Sequence, residues 1–168
     1  DASCYLENTL KIMIYRFKVF QDFTPIDTTI PMWFGAVFES SLFGAQPVFK
    51  EDQCPWIDRE PLLKNYTDLK SLSMPDFYKS GLMPLAHRMY EELKEIAGDD
   101  LRISFPQWFR SPFGLASHLR GVNNILADLY LNPQFVHRLM RILTDARKEW
   151  YRERARFLNC LLYTSDAA

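Results

Sequence analysis

The sequence has no excess of charge of either sign: 20 lysines and arginines against 21 aspartates and glutamates leave a net charge of −1 at pH 7. That balance offers no positive field to hold nucleic acid or an anionic membrane. No apolar run approaches the roughly 20 residues of a membrane span, and no charged-then-apolar leader opens the chain. Cysteine is scarce. Cys4, Cys54 and Cys160 are odd in number and lack C-x-x-C spacing, so a reducing, cytoplasmic setting is expected in place of a disulfide framework. There is no internal repeat and no low-complexity tract. What is present is apolar mass, 48% of 168 residues, enough for one substantial core.

Leu6, Leu10, Met13, Ile14, Phe17 and Phe20 recur at helical spacing and predict a helix over 5–21. "TTIPMWF" (28–34) reads as a short buried strand, although Pro31 cannot donate to a ladder. "AVFESSLFG" predicts a helical patch stopped by Gly44, and "QPVF" another short strand. Residues 50–77, with prolines at 55, 61 and 75, read as a long surface excursion with short helical turns. Leu85, Met89, Leu93 and Ile96 stripe a helix over 84–97, "LRISF" (101–105) is the clearest strand, and Ser111 caps a helix with Pro112 at its first position. Asn132 and Pro133 repeat that device before a long helix with Val136, Leu139, Met140, Leu143, Ala146 and Trp150 inward. Strands alternating with helices predict an α/β protein with a parallel sheet or barrel.

In "SPFGLASHLRG" (111–121) a continuous helix would place Gly114, His118 and Gly121 on one side, beside an apolar stripe of Leu115, Leu119 and Val122. Each glycine costs about 1 kcal/mol relative to alanine in a helix interior. The pattern suggests close approach of something to the backbone, either a neighbouring strand or a ligand. Spacing alone favours packing over a ligand. His87 and His137 fall on polar helix faces, Arg102 lies at a strand start, and the run "RKEWYRERARF" reads as a solvated helix face.

The stretch "SPFGLASHLRGVNNILADLYLNPQFVHRLMRILTDARKEW", with "LFGAQPVFKEDQCPWIDREPLLKNYTDL" and "MPDFYKSGLMPLAHRMYEELKE" before it, resembles the uroporphyrinogen decarboxylase superfamily, including its corrinoid methyltransferase-like members. The likeness covers about residues 28–157 in consistent segment order. It implies a (β/α)₈ barrel, of which residues 1–159 would be the amino-terminal to middle portion only. Asp1 is not a methionine, and 160–168 resemble a translated sequencing-adapter tail on a metagenomic reading frame. The expectation is therefore an incomplete chain, not active by itself.

Barrel sites lie at the carboxyl ends of the strands. There the resemblance puts Trp33 and Gly35 after the first strand, and Gln107, Trp108 and Arg110 after "LRISF", with Gly114 in the turn beyond. Trp33, Gly35, Gln107, Arg110 and Gly114 are the ligand-binding candidates, and His118 and Glu39 the catalytic ones. Arg110 would meet a propionate or phosphate, or else form a surface ion pair; Trp33 and Trp108 would suit a flat tetrapyrrole, or simply pack. In cofactor-free decarboxylases of this superfamily an aspartate in the mouth stabilises positive charge on the protonated pyrrole, and a tyrosine lies near it. Those places fall on Gly35 and His118. Glu39, a helical turn after Gly35, is the available substitute unless it is solvated.

The resemblance therefore points to an enzyme acting on or with a tetrapyrrole, with corrinoid-dependent methyl transfer ahead of uroporphyrinogen decarboxylation in porphyrin and haem biosynthesis. A non-catalytic tetrapyrrole-binding member is the remaining alternative. Such methyltransferases use a methyl-corrinoid, often on a corrinoid protein, and a zinc held by one histidine and two cysteines. No cofactor is identifiable in this chain and no metal is assigned: His87, His118, His137, Cys4 and Cys54 lack that spacing.

Overall fold

The computed structural model describes residues 1–21, 28–58 and 60–159; the adapter-like tail lies outside them. It divides into two compact units, Asp1–Phe34 with Pro84–Gln107, and Gly35–Met83 with Trp108–Ala168.

In the first unit, α1 (Ala2–Tyr15) is capped by Asp1 and runs into a π-helical turn at Arg16–Phe20. Only the first half of its predicted stripe is covered. Leu6 is buried and Leu10 and Met13 half-buried, whereas Ile14, Phe17 and Phe20 are exposed. Strand β1 (Thr29–Pro31) pairs in parallel with β4 (Arg102–Ser104), Ile30 opposite Ile103. Pro31 sits at the strand end, where its missing N–H breaks no rung, and Met32 N donates onward to Ser104 O at 3.1 Å. Helix α3 (Met83–Ala97) presents Leu93 and Ala97 to the cluster of Ala2, Leu6, Ile30, Met32 and Ile103. Ile96, predicted inward, is exposed, because the buried face runs through Ala86, Leu93 and Ala97. His87 also departs from its polar-face reading: it is half-buried, its ring 5.1 Å from that of Phe105.

In the second unit a 3₁₀ turn (Gly35–Val37) leads into α2 (Phe38–Leu42), which Gly44 terminates at φ +97°. The expected surface excursion contains a hairpin: β2 (Pro47–Lys50) pairs antiparallel with β3 (Gln53–Ile57), with an irregularity between Val48 and Lys50. Both strands are edges, and Pro55 falls outside the paired positions, which is why a proline did not forbid a strand there. Leu63 and Phe77, in the same stretch, are buried. A 3₁₀ turn (Tyr66–Ser71) follows.

Helices α4 (Pro112–Arg120), α5 (Val122–Leu131) and α6 (Pro133–Phe157) pack against one another. Ser111 caps α4 by accepting from Gly114 N at 3.1 Å, and Asn132 caps α6 by accepting from Phe135 N at 3.2 Å. Helix α6 buries Val136, Leu139, Leu143, Ala146 and Trp150, with Met140 half-buried. The continuous helix expected through Gly121 is broken: Gly121 has φ +86°, ends α4 and starts α5. Val122 is consequently exposed and outside the Leu115–Leu119 stripe. Among the described residues the parallel sheet has two strands, and no helix is long and apolar enough to cross a membrane.

Candidate functional site

The two candidate glycines beside His118 serve different ends. At Gly114 an added Cβ would lie 3.2 Å from Ser111 Oγ, so the missing side chain lets the cap close. At Gly121 the left-handed backbone turns the chain, and a Cβ would meet Pro61 Cγ at 3.2 Å. Neither glycine forms a groove along one continuous helix, and the shared face expected for Gly114, His118 and Gly121 is lost with the break.

His118, on the last turn of α4, is half-buried. Its Nδ1 lies 3.0 Å from Oγ of Ser40, which is fully buried on α2, and its ring centroid is 5.2 Å from that of Trp56 on β3. Burial first, and the nearby Arg110 guanidinium second, push its pKa down to about 4, so the imidazole is neutral at pH 7. It borders a cleft of about 220 Å³ whose walls include Gln46, Ile57, Asp58, Glu60 and Lys64. Such a volume is below the 300–1,000 Å³ or so typical of whole-ligand pockets, so it admits a side chain or edge of a macrocycle. A neighbouring hollow of about 340 Å³, lined by Lys50, Cys54 and Trp56, shares Ile57 and Asp58 with it.

Glu39 is not solvated. It is 3% exposed, and its Oε1 accepts from the backbone N–H groups of Phe109 (2.7 Å) and Arg110 (3.0 Å). The carboxylate pins the strand-to-helix turn that leads into Ser111. Arg110 points back across the same seam: its Nε and Nη2 donate to Ala36 O at 3.0 and 2.9 Å. Burial lowers the Arg110 pKa, with the Glu39 charge opposing. Its expected surface ion pair is replaced by this hold on a carbonyl. Gly35, at φ +77°, starts the 3₁₀ turn carrying that carbonyl.

Thus Glu39, Arg110 and His118 share one buried seam between α2 and the start and face of α4. Trp33 and Gln107 belong to the other unit, where both are exposed, Trp33 at 60%. Trp108 is core and lines no mouth. It is 2% exposed, edge-on to Phe43 and Trp150, and its indole N–H donates to Arg110 O at 3.1 Å.

Sequence reasoning missed Ser40, Trp56 and a buried clamp next to His118. Arg120 Nε meets Asp128 Oδ2 at 2.8 Å, and its Nη1 donates to Leu63 O (2.8 Å) and Lys64 O (2.6 Å). Tyr66 O–H donates to Asp128 Oδ1 at 2.8 Å, and the Tyr66 and Phe135 rings flank the guanidinium. The clamp fixes the 61–64 wall of the cleft, together with Leu63 N donating to Leu119 O at 2.8 Å. No local pattern announces these partners, since Arg120 and Leu63 are 57 positions apart.

Among the described residues, no three of histidine, cysteine, aspartate and glutamate lie together so as to hold a metal ion, and Cys4 and Cys54 are free and exposed. The donor set for a one-histidine, two-cysteine zinc is therefore not assembled by these residues.

No curated protein matches the chain. In fold it is similar to a solved methyltransferase from Methanosarcina mazei, with TM-score 0.59 and 15% identity over 83% of this chain. The chain spans 39% of that protein's length. The sequence profile described as uroporphyrinogen decarboxylase (URO-D) matches residues 16–155. That match spans most of the chain, which therefore belongs to the uroporphyrinogen decarboxylase family.

Proposed function

We propose that the chain is the amino-terminal to middle portion of a cytoplasmic (β/α)₈-barrel enzyme. It acts on or with a tetrapyrrole, by corrinoid-dependent methyl transfer in preference to uroporphyrinogen decarboxylation. The observation that carries this reading is how Glu39 is used. A decarboxylase of this family needs a carboxylate facing the protonated pyrrole. Gly35 brings none, and Oε1 of Glu39 is engaged by the Phe109 and Arg110 amides. Placing Glu39 against a substrate would leave two backbone donors without that acceptor. His118, neutral at pH 7, does not replace the missing negative charge.

The parallel pairing of β1 with β4 and the fold similarity to a methyltransferase support the barrel and the methyl-transfer reading. The free state of Cys4 and Cys54 supports a reducing compartment. A methyl-corrinoid, alone or on a corrinoid protein, would supply the transferable methyl group. The cleft beside His118 fits an edge of such a ring but not the whole macrocycle. In this reading Glu39 and Arg110 position the turn into α4, and His118 meets the ligand edge. No step is routed through zinc, because these residues do not assemble its donors. A tetrapyrrole binder without turnover is the second reading, favoured by the absence of a free acid or base among Glu39 and His118.

The test is a titration of the purified product of the complete gene with hydroxocobalamin followed by visible absorbance, with and without a methyl donor, beside an incubation with uroporphyrinogen. A saturable shift in the corrin bands, with no coproporphyrinogen formed, is expected. Coproporphyrinogen production would overturn methyl transfer in favour of decarboxylation. Binding without methyl exchange would select the non-catalytic reading.

A further inference from the structure

Ser40 Oγ and His118 Nδ1, 3.0 Å apart, can be joined in two ways. Either the hydroxyl donates to a bare Nδ1, or a protonated Nδ1 donates to the oxygen. In the second arrangement the serine proton is buried with no acceptor, since Ser40 Oγ has no other hydrogen-bond partner among the described residues. Leaving a buried polar group unpaired costs about 1–3 kcal/mol. The first arrangement wins: Nδ1 accepts, and the single proton of the neutral ring sits on Nε2. What His118 can offer a ligand is then an N–H donor, neither a base nor a cation.

We infer that Ser40 is a positioning residue that fixes His118 as an Nε2–H donor toward an oxygen acceptor in the cleft it borders. This deepens the corrinoid reading and rests on it only for the natural ligand, whose carboxamide side chains carry such oxygens.

The experiment is two-bond ¹⁵N–¹H correlation on the chain labelled at its three histidines, with His118 assigned by loss of its signals in His118→Gln. At pH 7 the wild-type His118 pattern is expected to be that of the Nε2–H tautomer, mixed in Ser40→Ala and restored in Ser40→Thr. Propionamide, an uncharged oxygen acceptor, is expected to shift the wild-type His118 signals saturably, and to shift them less in Ser40→Ala. An Nδ1–H or mixed tautomer in the wild type overturns the inference without recourse to any variant. So does no response to propionamide, or an equal response in the wild type and Ser40→Ala. If propionamide moves His118 and hydroxocobalamin does not bind, the inference stands and the corrinoid reading falls. If hydroxocobalamin binds while propionamide does not move His118, the corrinoid reading stands and this inference falls.

Discussion

At the residue scale, Glu39 and His118 are the two side chains whose surroundings decide most. Glu39→Ala removes the acceptor for two part-buried backbone donors, and about 2–3 kcal/mol of stability is expected to be lost. Glu39→Gln keeps a carbonyl oxygen in place and should lose about 1 kcal/mol. Urea unfolding of the three proteins checks the order, and equal midpoints for Glu39→Ala and wild type would remove Glu39 from its bracing role. His118 sets a pH dependence whose sign follows from its lowered pKa. The folded ring protonates at about 4, whereas the unfolded one takes up a proton near the ordinary 6.5. Between those values the unfolded state binds more protons, so stability falls as pH drops from about 6.5 to about 4 and this contribution levels off below. His118→Gln should flatten that limb of the stability curve, measured as urea midpoint against pH. An unchanged slope would place the imidazole in a more solvated setting than the Ser40 contact implies.

At the element scale, what was legible was what the chain encodes locally. Ser111–Pro112 and Asn132–Pro133 announce their helix starts because a cap needs only residues three positions apart. Gly44 announces a stop for the same reason. The hairpin at Pro47–Ile57 was hidden because Pro55 reads as a strand breaker until an unpaired position in an edge ribbon excuses it. The bracing contact of Glu39 was not legible, because the turn it holds is 70 residues away. Gly121 shows how a helical period deceives: Gly114, His118 and Gly121 fit one face arithmetically, but φ +86° ends the helix between the second and third.

The junction after Gly121 carries the prediction at this scale. Asp128 on α5 faces Arg120 on α4 in a buried pair, and removing one partner of such a pair costs about 3–5 kcal/mol. Asp128→Ala is therefore expected to be strongly destabilised, and to speed hydrogen exchange at the Leu63 amide more than at the α6 amides. The double change Arg120→Met with Asp128→Leu should recover much of the stability but not the hold on the Leu63 and Lys64 carbonyls. If both variants left Leu63 exchange unaltered, the clamp would not be what fixes the cleft wall.

At the scale of the whole molecule, the order of segments showed more than any one residue. It identified the family, and the parallel α/β character followed: "LRISF", the clearest strand in the sequence, pairs as β4 with β1, which was legible in spite of Pro31. The distribution of candidate residues between two compact units was not legible, because it depends on which helices share a core. That distribution has a measurable consequence. Among its described residues the first unit buries Ala86, Phe105 and the cluster of Ala2, Leu6, Ile30, Met32, Leu93, Ala97 and Ile103, its parallel strands have three residues each, and Ile12, Ile14, Phe17, Val19 and Phe20 on its first helix and the turn after it are exposed. The second unit has a 25-residue helix packed on α4 and α5, with Leu115, Leu119, Leu139 and Leu143 completely covered. Small cores are marginal, and local opening starts where buried apolar surface is least. Hydrogen exchange in increasing urea is expected to expose peptides from α1 and β1 at lower denaturant than peptides from α4 and α6. The early-opening peptides should also show the smaller dependence on urea, because less surface is released with them. A single transition shared by every peptide, at one midpoint and one slope, would mean that the two units unfold as one cooperative body.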